Sequence, residues 1–133
     1  MIRESHLSNR YEAIKEIGRG HFGVVDVIKR VSDGKLLVWK KVKYGTMNSQ
    51  QKQQVVSEVN ILKDIDHPNI VKYYDRIVDK ANTTVHIVME YCTGGDLNQR
   101  LQELKSKKEY LEESIIWKIL YQLMSALHYC HNR

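Results

Sequence analysis

Three features of this 133-residue sequence could act together on a phosphate-bearing ligand. The first is Gly18-Arg19-Gly20-His21-Phe22-Gly23, in which glycines recur at the spacing of a phosphate-covering loop. Without Cβ atoms in the way, the backbone N–H groups of such a loop can approach an anion closely. In a dinucleotide-binding unit these glycines would open a helix, but here they precede Val24-Val25-Asp26-Val27-Ile28, a β-branched run that prefers a strand. The segment therefore reads as a strand–glycine–strand flap, although the pattern taken alone also describes an ordinary hairpin turn.

The second feature is Lys40, in Leu36-Leu37-Val38-Trp39-Lys40-Lys41-Val42. Strand side chains alternate between faces, so Lys40 shares a face with Val38 and Leu36, and Lys41 shares the other with Trp39. An ammonium on an apolar face requires a partner, because burying it alone costs several kcal/mol. The third feature, Glu58, supplies that partner. It lies about one turn from both Val55 and Leu62, at the border of a helical apolar stripe, and is expected to reach Lys40. A Lys–Glu pair there would fix the ammonium against the α- and β-phosphates of a nucleotide such as ATP.

The elements that must position these groups follow from periodicity. Tyr11 to Ile17, Val24 to Arg30 and Leu36 to Val42 read as strands, with a hairpin signal at Asp33-Gly34. From Ser49 to Ile65 the period becomes helical, with Val55, Val59 and Leu62 on one stripe, and His67-Pro68-Asn69 ends the helix. Ile70 to Val78 and Val85 to Tyr91 complete five strands, which predicts an antiparallel sheet covered by one helix. After Thr93-Gly94-Gly95-Asp96, Leu97 to Leu104 and Ile115 to His131 read as helices. The longer one carries Ile115, Ile119, Leu123 and Leu127 at helical spacing, an apolar stripe expected to be exposed and to favour self-association.

Bulk properties narrow the function classes. A hydrophobic fraction of 42% with one proline and seven glycines is that of a folded domain, not a disordered polymer. The excess of 21 Lys+Arg over 16 Asp+Glu is scattered along the chain, and Tyr73, Tyr74 and Tyr91 fall in core strands, so a nucleic-acid-binding reading has little support. Cys92 and Cys130 lack the spacing of a metal site or a redox pair and read as free thiols of a reducing compartment. No segment has the length of a membrane span or the apolar core of a signal peptide.

Taken in order, the glycine flap with Val25, Leu37-Val38-Trp39-Lys40, Ser57-Glu58-Val59, His67-Pro68-Asn69-Ile70-Val71 and Val88-Met89-Glu90-Tyr91 followed by Gly94-Gly95-Asp96-Leu97 resemble the small lobe and hinge of protein kinases. With Asn82-Thr83-Thr84 and Met89-Glu90-Tyr91-Cys92, the chain is most similar to the NIMA-related (Nek) serine/threonine kinases. The resemblance implies an α+β fold: a kinase small lobe with hinge over residues 1–92, made of a five-stranded antiparallel sheet and one αC-type helix, then the first helices of the large lobe over 93–133. It implies that Ile17, Gly18, Gly20 and Gly23 cover ATP, that Val25 and Val38 sandwich the adenine, and that Met89 is the gatekeeper. It further implies that the backbone of Glu90 and Cys92 bonds the adenine edge, that Lys40 and Glu58 belong to the catalytic machinery, and that Asp96 reaches the ribose or a substrate side chain. A helix N-cap role for Asp96 fits its place after two glycines equally well. Leu62 and Tyr73 match the upper part of a hydrophobic spine, which is also plain core packing.

The resemblance implies transfer of the ATP γ-phosphoryl group to protein hydroxyls, with Mg2+ held in the full-length protein by segments that do not occur in this sequence. The catalytic loop, the DFG aspartate and the activation segment are not in it, so the chain as written is expected to be inactive. The alternative is a non-catalytic module that binds ATP or a partner kinase. The expected address is cytoplasmic, with centrosome, cytoskeleton or nucleus implied by the family alone.

Overall fold

The computed structural model describes residues 9–20 and 23–133, so His21 and Phe22 of the glycine segment lie outside the described residues. The chain divides into two compact units, one running to Ile65 and including Lys72–Tyr91, the other formed by Asp66–Val71 and Cys92–Arg133.

The first unit is a five-stranded antiparallel sheet in the order β1-β2-β3-β5-β4, built from β1 (Tyr11–Arg19), β2 (Gly23–Arg30), β3 (Leu36–Lys43), β4 (Tyr73–Asp79) and β5 (Thr84–Glu90). The β2–β3 connection turns at Gly34, whose φ of +73° favours glycine, and Asp33 holds it by accepting from Lys35 N–H at 3.1 Å and pairing with Arg30. Helix α1 (Ser49–Asp64) starts at a capping box in which Asn48 and Gln51 satisfy each other's backbone N–H groups at 2.9 and 3.0 Å. It ends before His67, which Pro68 pushes out of helical conformation.

Alternation gives the sheet two buried layers. Tyr11, Ile28, Leu37, Trp39 and Val88 form one core, flanked by Tyr74 and Ile77. On the other face Val42 and Ile87 pack with Val59 of α1, and Met47, Val55, Tyr73, Val85 and Met89 fill in around them. The fourth strand starts at Tyr73, not at Ile70 as the sequence suggests. The preceding residues make a turn instead, with Ile70 N–H donating to His67 C=O at 3.2 Å and Asn69 N–H to His67 Nδ1 at 3.0 Å.

The second unit holds α2 (Leu97–Ser106) and α3 (Glu113–His131). His67 ties Asp66–Val71 to α3. Its Nδ1 already accepts from Asn69, so in the neutral ring Nε2 is the donor, and Ser125 Oγ accepts at 3.3 Å. No residue of α3 is buried; of its apolar stripe, Ile115, Leu123 and Leu127 are exposed and Ile119 is half-buried. Among the described residues, no helix is long and apolar enough to cross a membrane.

Candidate functional site

The register of the central strands decides which groups meet. Val25 of β2 lies opposite Lys40 of β3, and Lys40 lies opposite Ile87 of β5. One row further on, Val27, Val38 and Met89 are aligned in the same way. Lys40 is therefore a half-buried cation within an apolar face, beside the strand that leaves the glycine segment. Lys41 goes to the other face, as the period-2 argument requires.

The three glycines differ in what they permit. A Cβ on Gly23 would lie 1.8 Å from the Lys41 carbonyl oxygen, so this glycine is required by the close approach of β2 to β3. A Cβ on Gly18 would make only an ordinary contact, 3.7 Å from Val25, and one on Gly20 would meet nothing within 4 Å. Packing therefore does not explain glycine at 18 or 20. The Gly20 N–H is itself occupied, donating to Gly23 C=O at 2.9 Å and closing the hairpin. Ile17 falls at a bulge in β1, where the β1–β2 register shifts between Glu16 and Gly18, and is exposed.

Glu58 stands differently from its expected contact. It and Lys40 border one small cavity of about 50 Å3, together with Val42, Met47, Gln51, Gln54, Val55 and Ile87, yet no ion pair joins the two. The reason is the rotational setting of α1. The residue it drives into the sheet is Val59, 2% exposed, with Val55 beside it, and this leaves Glu58 on the exposed flank. Tyr73 packs with the Val42–Val59–Ile87 core, and Leu62 is half-buried.

At the end of β5, Glu90 N–H donates to Lys72 C=O at 2.8 Å and is not free for a ligand. In the second unit, Cys92 C=O accepts from Gly95 N–H at 3.3 Å, and its own N–H has no backbone partner among the described residues. Asp96 is the N-cap of α2: its carboxylate accepts from Gln99 N–H at 2.7 Å, and Gln99 Oε1 accepts from Asp96 N–H at 3.2 Å.

The opposite face of the sheet carries a polar cluster that the sequence reading missed. Asp26, 7% exposed, accepts at Oδ2 from Trp39 Nε1 and pairs there with Lys41 Nζ, each at 3.0 Å. Burial pushes its carboxyl up, but the hydrogen bonds from Trp39 and Lys41 and the Lys41 charge outweigh this and hold it below the usual value. His86 packs edge-on against Trp39 at 4.7 Å, and its buried Nδ1 has no hydrogen-bond partner among the described residues. Burial lowers its pKa, helped by Lys41 and opposed by Asp79 and Asp26. The available signal was an aspartate interrupting the β-branched run from Val24 to Ile28.

Among the described residues, no group of three or more His, Cys, Asp or Glu side chains is placed to hold a metal ion. On the Lys40 face the strands thus bring together apolar side chains and a half-buried cation that has no carboxylate partner among the described residues.

Residues 11–133 match the model of the protein kinase domain. The chain is 50% identical over 123 residues to the serine/threonine-protein kinase Nek2 of Mus musculus, covering 92% of this chain and 28% of that protein. It is 47% identical over 125 residues to the probable serine/threonine-protein kinase nek2 of Dictyostelium discoideum, covering 94% and 30%. With the G2-specific protein kinase nimA of Emericella nidulans it shares 43% over 124 residues, covering 93% and 18%. The chain thus spans less than a third of the length of each of these relatives.

Proposed function

The chain belongs to the protein kinase family, in its NIMA-related branch, and on that basis we propose that it forms the nucleotide-binding part of a serine/threonine kinase that phosphorylates protein hydroxyls with Mg-ATP. The observation that carries this reading is the position of Lys40, a half-buried ammonium on the apolar face of β3, directly across from Val25 and without a carboxylate partner among the described residues. A phosphate anion would supply the charge that the site lacks. Metal bound with the nucleotide would neutralise further phosphate charge.

This chain's own contribution is binding and orientation. Val25 and Met89, both half-buried, would present apolar surface to a flat base, with Val27 and Val38 buried in the row between them. The Glu90 carbonyl, at the end of β5, is an acceptor of the kind that an exocyclic amine would meet. Lys40 would hold the α- and β-phosphates, which leaves the γ-phosphoryl group to protein segments outside this sequence.

A non-hydrolysable ATP analogue, titrated with Mg2+ while methyl resonances are followed by NMR, tests this reading. Val25, Val38 and Met89 should shift saturably, and Leu37 and Val88 on the other face should not. Shifts confined to Leu37 and Val88 would refute it.

A further inference from the structure

Two adjacent lysines pose a problem of selection. In Leu36-Leu37-Val38-Trp39-Lys40-Lys41, both faces of β3 receive apolar residues and then a cation, so a slip of one residue would exchange Lys40 for Lys41 with little change in hydrophobic pattern. Strands in a sheet are held in register chiefly by such a pattern and by their turns. The Arg30–Lys35 turn anchors only the far end of the β2–β3 ladder. At the end near Lys40, Gly23 admits the close approach of the Lys41 carbonyl, and the polar feature that distinguishes the two faces is Asp26.

Asp26 lies directly opposite Trp39 in the β2–β3 register and gathers the indole N–H and the Lys41 ammonium on a single oxygen, 3.0 Å from each. Both Asp26 and Trp39 are 7% exposed, and His86 packs against the indole. A slip would carry Trp39 to the other face and bring Lys40 into the place of Lys41, so the buried Asp26 carboxylate would keep a cation but lose its indole donor, which is costly. The β1–β2 and β4–β5 ladders contain register shifts, whereas β2–β3 and β3–β5 run without a break.

We propose that Asp26 is a positioning residue that fixes the register of β3, so that Lys40 and not Lys41 faces the nucleotide. The assignment of Lys40 to the nucleotide rests on the function proposed above, while the register lock itself does not. Buried polar groups are known to select register in other architectures, at some cost in stability.

The test replaces the polar pair while keeping the strands apolar. In Asp26→Leu/Trp39→Phe both partners become nonpolar, so stability should change little while the selection is lost. Asp26→Asn, which keeps an acceptor for the indole but drops the charge, should fall between this variant and wild type. Each protein is treated with an acyl-phosphate ester of ATP, which acylates an amine lying beside the phosphates and releases ATP, and the modified lysine is identified by mass spectrometry. Cross-strand contacts from Val25 to Lys40 or Lys41 are read separately by NMR.

Wild type should be acylated at Lys40, and the ratio of Lys40 to Lys41 labelling should fall about tenfold in the double variant, the discrimination worth of roughly one buried hydrogen bond. The Val25–Lys41 contact should appear alongside the Val25–Lys40 contact. A folded double variant that keeps the wild-type contact and labelling ratio would overturn the lock. If neither lysine is labelled in wild type, the nucleotide reading fails and the cross-strand contacts alone decide the lock.

Discussion

Lys40 and Glu58 border the same small cavity between β3 and α1 without forming an ion pair. Glu58 is exposed, so its carboxylate is solvated rather than balanced by the ammonium. Glu58→Gln should therefore change the unfolding free energy of the nucleotide-free chain by no more than about 0.5 kcal/mol, the usual range for a surface substitution. Denaturant titration of the two proteins measures this. A loss of about 3 kcal/mol, as expected when one partner of a buried pair is removed, would mean that the two charges meet in solution.

His86 makes stability depend on pH. Burial holds the folded imidazole below the ordinary value of 6.5, against the opposing pull of Asp79 and Asp26, so between its folded pKa and 6.5 the unfolded chain binds a proton that the folded chain does not. Stability should accordingly fall as pH drops below 6.5, by up to about 1.4 kcal/mol per pH unit for one such group. Asp26, depressed below 3.8, adds a further loss as the pH falls from about 3.8 towards its folded pKa. Comparing denaturation midpoints of wild type and His86→Gln between pH 7 and pH 5 isolates the histidine, with a flatter dependence expected in the variant. Parallel curves would show that His86 titrates normally.

The glycines of the hairpin should separate into structural and ligand-facing positions. Gly23→Ala drives a methyl into the Lys41 carbonyl, 1.8 Å from the built Cβ, and should cost about 1–3 kcal/mol or more as the strands move apart. Gly20→Ala meets no neighbour, and its stability should stay within about 1 kcal/mol of wild type. Thermal melts of the two variants give the comparison. Equal destabilisation would contradict the contact geometry.

Period-2 alternation was enough to send Lys40 and Lys41 to opposite faces, and the helical stripe placed α1 on the Lys40 side of the sheet. These features are local and repeat along the chain, so the sequence displays them. The Asp26–Trp39–Lys41–His86 cluster joins three strands and depends on their mutual register, which no single segment encodes. The separation of Lys40 from Glu58 was hidden for a related reason. Periodicity gives the phase of a helix, but the packing of Val59 and Val55 sets how closely it approaches the sheet and which flank it exposes. For Asp96, residue type and neighbouring glycines allowed a cap or a ligand contact, and the reciprocal bonds with Gln99 make it a cap.

In the proposed function the nucleotide meets the Lys40 face of the sheet. Isothermal titration of Mg2+ and a non-hydrolysable ATP analogue into wild type, Lys40→Met and Lys41→Met tests it most directly, because the two substitutions are chemically identical and one residue apart. The prediction is that Lys40→Met weakens binding at least tenfold, equivalent to about 1.4 kcal/mol of lost phosphate interaction, while Lys41→Met stays within about threefold of wild type once folding is confirmed. Equal affinity in Lys40→Met and wild type would contradict it.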